Sequence, residues 1–132
     1  MAYEDIAEAL KAKGLKLTPQ RLEIMRTLLD IGEDHPSLNR IHDSIRERMP
    51  TLSFSTLYNT ISIFERNGLI KLFDFDGETR IEMKKENHVN LIDSRTGEIM
   101  DVCDEELVRK IISELDKDRI KDRDIIVNIL MY

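Results

Sequence analysis

The chain has 132 residues, of which 35% are charged and 41% hydrophobic, with a net charge of −6 and a single cysteine, Cys103. This length suits one domain with a good core, or two small lobes that each lean on a partner. No apolar run approaches membrane-spanning length, one cysteine excludes an internal disulfide and any multi-thiolate metal site within the chain, and Met1-Ala2-Tyr3-Glu4-Asp5 lacks a signal-peptide pattern, so a cytoplasmic location is expected.

The acidity is uneven. Residues 1–71 hold ten Lys/Arg and ten Asp/Glu, whereas residues 72–132 hold ten and sixteen. The neutral first half can still present a basic surface through Lys11, Lys13, Lys16, Arg21, Arg66 and Lys71, so an overall acidic chain does not exclude a nucleic-acid partner.

Tyr3, Ile6, Ala7 and Leu10 recur at helical spacing before Gly14 and predict a short first helix. Thr18-Pro19 reads as N-cap and N1 of a second, with Leu22, Met25, Leu28 and Leu29 on its inner face up to Gly32. Ser37 opens a third, with Leu38, Ile41, Ile45 and Met49 inward, and Pro50 closes it. Ser53 and Gly68 then bracket a fourth helix as N-cap and C′ residue. Phe54, Leu57, Ile61 and Phe64 give that helix one apolar stripe for core packing. Its other face carries Ser55, Thr56, Asn59, Thr60 and Ser62 with Tyr58 beside them. These short, uncharged groups are suited to base edges and phosphate oxygens in a DNA groove. Two helices with a tight connection, the second polar on its outer face, form a helix-turn-helix pattern.

After Gly68 the period becomes alternating. Residues 69–75 and 78–83 flank Asp76-Gly77, a strong hairpin signal that turns the helical array into a winged helix. Lys71 and Arg80 on this wing could lie along a DNA backbone or be purely structural. The polar segment 84–87 reads as a hinge between a DNA-binding domain, 1–83, and a small α/β domain, 88–132. The latter offers strands at 88–92 and 98–102, a helix around Leu107, Val108, Ile111, Ile112 and Leu115 capped by Asp104, a charged connection from Asp116 to Arg123, and an apolar strand at 125–130. So small a lobe cannot hide both faces of that last strand, which points to a second copy of the chain as its cover.

Gly14-Leu15-Lys16-Leu17-Thr18-Pro19-Gln20-Arg21, His35-Pro36-Ser37, Leu52-Ser53-Phe54-Ser55-Thr56-Leu57-Tyr58-Asn59-Thr60-Ile61 and Asn67-Gly68-Leu69-Ile70, in that order and at those spacings, resemble the ferric uptake regulator family of metal-dependent transcription factors. The resemblance covers nearly the whole chain. It implies an α+β fold, an N-terminal winged helix-turn-helix domain followed by an α/β dimerisation domain, and a homodimer on a double-stranded DNA operator. It places Ser53, Ser55, Thr56, Tyr58 and Asn59 on the recognition helix, Arg21 near the phosphates, and Lys71 on the wing.

The resemblance also implies metal. Family members usually hold a structural zinc with Cys-x-x-Cys pairs, but the matching positions here read Asp93-Ser94-Arg95-Thr96 and no terminal cysteines follow, so a structural zinc held by four cysteines is not expected. The family's sensing site maps onto His35, Glu82, His88, Asn90 and Asp101, where a second imidazole of the family pattern has become Asn90. Two imidazoles and two carboxylates suit Zn2+, Fe2+, Mn2+ or Ni2+, while a neutral amide oxygen is a weaker ligand. The leading expectation is a metal-responsive dimeric repressor. The alternatives are a winged-helix regulator that has lost metal dependence, and a protein-interaction module, which the polar recognition face disfavours. With neither a nucleophile motif nor a phosphate-cradling loop, an enzyme is not expected.

Overall fold

The computed structural model describes residues 3–83 and 86–132. Met1, Ala2 and half of the expected hinge, Lys84 and Lys85, lie outside the described residues, as does the side chain of Tyr3. The chain divides into two compact units, Met1–Met83 and Lys84–Tyr132.

The first unit is helical with a terminal hairpin: α1 (Tyr3–Ala12), α2 (Pro19–Ile31), a 3-10 turn (Gly32–Asp34), α3 (Leu38–Ile45), α4 (Phe54–Arg66), β1 (Lys71–Phe75) and β2 (Glu78–Glu82). Local chemistry sets the helix ends. Thr18, Ser37 and Ser53 each accept a hydrogen bond from the amide three residues on, which satisfies a donor that the first turn leaves open. At the end of α4, Gly68 at φ +71° lets its amide donate to Glu65 O and that of Leu69 to Phe64 O, closing the helix before the wing. The buried faces then meet in one core that includes Leu10, Ile24, Leu28, Ile41, Ile45, Leu57, Ile61, Phe64 and Ile81, all fully buried. At about 1.5–3 kcal/mol for each large apolar side chain, this cluster dominates the unit's stability.

Three details depart from the periodicity. Phe54, expected in the core stripe of α4, is 43% exposed and packs edge-on against His42 instead, because it sits in the first turn, beyond the reach of the core. Thr60, expected on the polar outer face, is buried; its hydroxyl donates to Thr56 O, which satisfies the polar atom within the helix. Helix α3 ends at Ile45, although the Met49 amide still donates to Ile45 O and its side chain packs against the core.

The wing pairs β1 with β2 antiparallel, Leu72 opposite Ile81 and Lys71 opposite Glu82. Asp76 and Gly77 both have positive φ, +53° and +75°, as a two-residue turn of the correct twist requires.

The second unit has β3 (His88–Asp93), β4 (Ile99–Val102), α5 (Glu105–Glu114), a one-turn α6 (Lys117–Ile120) and β5 (Ile126–Met131). Strand order is β4-β3-β5, with β3 antiparallel to β4 and parallel to β5. The charged connection therefore contains a turn of helix, capped by Asp116, that no apolar period announces. Among the described residues of this unit Val89 and Ile92 are the fully buried apolar side chains. Ile129, Leu130 and Met131 on β5 remain 45%, 43% and 44% exposed. No helix among the described residues is long and apolar enough to cross a membrane.

Candidate functional site

In the first unit the donors expected for metal form a buried pair. His35 Nε2 lies 3.1 Å from Glu82 Oε2, and both side chains are 2% exposed. His35 follows the 3-10 turn in a left-handed conformation, φ +50° and ψ +56°, directly before Pro36. That backbone is uncommon for a residue other than glycine, and residues preceding proline favour extended geometry. Strand β2 holds the segment: the Ile81 amide donates to Pro36 O at 3.0 Å, and Ser37 bridges to Arg80. The Phe73 ring meets the imidazole edge-on with centroids 6.2 Å apart.

In the second unit three expected residues also come together. Asn90 on β3 is in register with Asp101 on β4, and His88 precedes it by two, on the same face of the sheet. His88 Nδ1 lies 2.9 Å from Glu86 O, and since a carbonyl only accepts, this contact puts the ring proton on Nδ1. Its Nε2 lies 3.1 Å from Asn90 Oδ1 and 3.7 Å from Asp101 Oδ1. An imidazole nitrogen beside a carboxylate and an amide oxygen is a donor set that fits a divalent ion.

Asn90 is fully buried and does more than face His88: its Nδ2 donates to Asn128 Oδ1 at 3.1 Å, from the matching position of β5. Sequence reasoning missed Asn128, whose signal was present as one amide inside the apolar run Ile125–Leu130.

The positions where the family pattern has cysteines carry turn chemistry here. Asp93 Oδ1 accepts from the Arg95 amide at 2.9 Å and Thr96 Oγ1 from the Glu98 amide at 3.2 Å. The Gly97 amide closes the loop on Asp93 O at 2.7 Å. Ser94 adds a bond from its hydroxyl to Met131 O, tying the turn to the end of β5. Side-chain oxygens thus satisfy the backbone of a turn that a thiolate pair would otherwise anchor. Cys103 is exposed, near the start of α5.

The residues expected to touch DNA fall in three places. Ser55, Tyr58 and Asn59 lie exposed on α4, with Tyr58 48% exposed and Thr56 half-buried. Ser53 spends its hydroxyl locally, accepting from the Thr56 amide and donating to Thr56 Oγ1. Arg21, in the first turn of α2, donates from Nη1 to Lys16 O at 2.8 Å. Lys71 begins β1 and is half-buried. Arg80 does not project from the wing: it is 18% exposed and folds back into the unit.

Residues 12–130 match the model of the ferric uptake regulator family. A ferric uptake regulation protein homolog of Archaeoglobus fulgidus is 42% identical over 111 residues, covering 84% of this chain and 85% of that protein. The peroxide-responsive repressor of Staphylococcus epidermidis is 30% identical over 99 residues, 74% of this chain, which spans just under two thirds of it, 65%. Among solved structures, the Helicobacter pylori ferric uptake regulator, described as having three functional metal-binding sites, superposes with a TM-score of 0.75 at 26% identity, over 99% of this chain and 92% of that one. The order of winged helix and small α/β unit, the His/carboxylate pairs and a match over nearly the full sequence agree, and the chain belongs to the ferric uptake regulator family.

Proposed function

We propose that the protein is a metal-responsive, homodimeric transcriptional repressor that binds a double-stranded DNA operator through α4. In this reading residues 1–83 are the DNA-binding domain, 84–87 the hinge and 88–132 the dimerisation domain. One divalent ion, Zn2+, Fe2+, Mn2+ or Ni2+, is held by His35, Glu82, His88 and Asp101. The observation that carries the proposal is the donor set: two imidazoles and two carboxylates, three of the four side chains buried, in a family of metal-dependent regulators. Four such ligands satisfy a tetrahedral Zn2+, and added water completes the larger shells of Fe2+ or Mn2+. Asn90 serves His88 as an orienting partner and, through its amide oxygen, as a further weak ligand.

The mechanism follows from chain position. Two of the ligands belong to the DNA-binding part and two to the dimerisation part, so a shared ion restrains the hinge and favours one spacing of the recognition helices in the dimer. An ion that prefers the DNA-competent arrangement tenfold shifts the equilibrium by about 1.4 kcal/mol. On α4, Ser55, Thr56, Tyr58 and Asn59 supply the uncharged donors and acceptors that read base edges. Arg21 and Lys71 contribute phosphate contacts and Ser53 fixes the start of the helix. Occupation of the operator then excludes polymerase.

The test is a selection from random duplex DNA with protein purified without chelator, followed by affinity measurement on the selected duplex with Mn2+ or Zn2+ and after exhaustive chelation. Metal should raise affinity by at least about tenfold. Full affinity in the metal-free protein and in His88→Ala would leave DNA binding standing but remove the metal response.

A further inference from the structure

Strand β2 carries Arg80 and Glu82 two residues apart, hence on one face of the wing. Both reach the same residue. Glu82 Oε2 meets the His35 imidazole at 3.1 Å, while Arg80 Nη1 donates to the His35 carbonyl at 3.2 Å. His35 is therefore held at its side chain and at its backbone by one strand, in the left-handed conformation that the following proline makes unusual.

Two further contacts hold the guanidinium. Nη2 lies 3.2 Å from Glu78 Oε2 and the Phe75 ring centroid is 6.0 Å from Cζ. Its Nε is buried without a hydrogen-bond partner and the side chain is only 18% exposed, so the head group lies largely within the unit rather than in solvent. A planar fork fixes both contacts at once, whereas a lysine ammonium, with three rotatable donors on a flexible stem, would hold them less rigidly.

We propose that Arg80 is a positioning residue: it holds His35 in its left-handed turn and so couples the placement of the wing to metal capture, instead of contacting DNA phosphate. The proposal rests on His35 being a ligand, as set out above. Metal binding at His35 then stiffens the hairpin through Arg80 and Glu82, and a shift of the hairpin displaces the imidazole.

The experiment compares the full-length protein with Arg80→Met and Arg80→Lys. Hydrogen exchange in metal-free protein reads the hold on the segment through the Ile81 amide, bonded to Pro36 O, and the His35 amide, bonded to Gly32 O. Arg80→Met should speed both by about tenfold while the core amide of Leu57 keeps its rate. Co2+ affinity, followed by the d–d absorption of the bound ion, should fall about 10-fold or more, as for other partners that orient a ligand. Arg80→Lys should lie between, at roughly threefold. The salt dependence of affinity for the selected duplex should keep its slope.

Unchanged exchange at Ile81 and His35 overturns the proposal, as does faster exchange with unchanged Co2+ affinity. A fall of about one in the salt slope also overturns it, by assigning Arg80 to a phosphate. If Arg80→Met does not fold, Arg80→Lys decides, and identity with the unsubstituted protein in exchange and affinity is the overturning result. If the unsubstituted protein binds no Co2+, the metal-responsive function fails on its own, and the exchange data still decide whether Arg80 holds His35.

Discussion

Glu82→Gln separates a metal ligand from a structural ion pair. The amide has the shape of the carboxylate and can still hydrogen-bond to His35 Nε2, now 3.1 Å away, so metal-free stability should change by about 0.5–1.5 kcal/mol, the worth of one hydrogen bond. The effect on metal is larger. With free metal at a hundred times its Kd, binding stabilises the folded chain by about 2.7 kcal/mol, and a hundredfold loss of affinity leaves about 0.4. For a unit of this size 1 kcal/mol moves Tm by about 4–8 °C, so a metal-induced rise of roughly 10–20 °C should shrink to about 2–3 °C. Calorimetry with and without Zn2+ measures both quantities. If metal raises the Tm of the variant as much as that of the parent, Glu82 is not a ligand. If the metal-free variant loses more than about 3 kcal/mol, the carboxylate belongs to a structural buried pair and the reasoning fails.

Tyr58→Ala should weaken binding to the selected duplex by about 1–3 kcal/mol with little change in Tm, because the ring is half exposed; a fluorescence titration and a melt check both. A Cβ on Gly32 would collide with Met83 Cγ, so Gly32→Ala should cost about 1–3 kcal/mol in urea unfolding, even though φ there is ordinary for alanine. Leu130→Asp should convert the proposed dimer to monomer in sedimentation velocity, since it puts charge on the exposed end of β5. Asp93→Ala and Thr96→Ala should each remove about 0.5–1.5 kcal/mol from the second unit by opening a turn hydrogen bond, read as a lower urea midpoint.

What was legible in the chain was local. Thr18, Ser37, Ser53 and Asp104 could be read as caps because a cap needs one short oxygen-bearing side chain at one place, and each accepts the expected amide. Asp76-Gly77 marked the wing turn for the same reason. The failures are tertiary. Phe54 has the spacing of its helix's inner face, yet how far the core extends past the first turn is decided by other elements. Thr60 looks polar in a list of residues, but its hydroxyl is satisfied inside the helix and the rest of the side chain is free to be buried. His35 belongs to a recognisable motif, whereas its left-handed backbone, with no glycine to announce it, depends on β2, some 45 residues later. For Arg80 the two readings, DNA backbone or structural hairpin, could not be separated by pattern, and Asn128 escaped because its bond to Asn90 depends on the register of β3 with β5, which leaves no periodic trace.

The second unit shows why the missing cysteines and the exposed strand are one matter. A lobe of this size buries too little apolar surface to be secure alone, and small domains usually add metal, disulfides or a partner. A zinc held by four cysteines is closed to a chain with one, and the turn at 93–97 is held by hydrogen bonds of modest net worth. Apolar burial must supply the remainder, but Val89 and Ile92 are deeply buried while Met100, Leu115, Ile129, Leu130 and Met131 stand 41–46% exposed. These side chains contribute little until something covers them. In the proposed dimer the cover is the same strand of the second copy, so folding of this unit and association are linked through mass action. An ion held at His88 and Asp101, as proposed, would bind to the same sheet whose order the proposed dimer secures, with Asn90 of β3 bonded to Asn128 of β5.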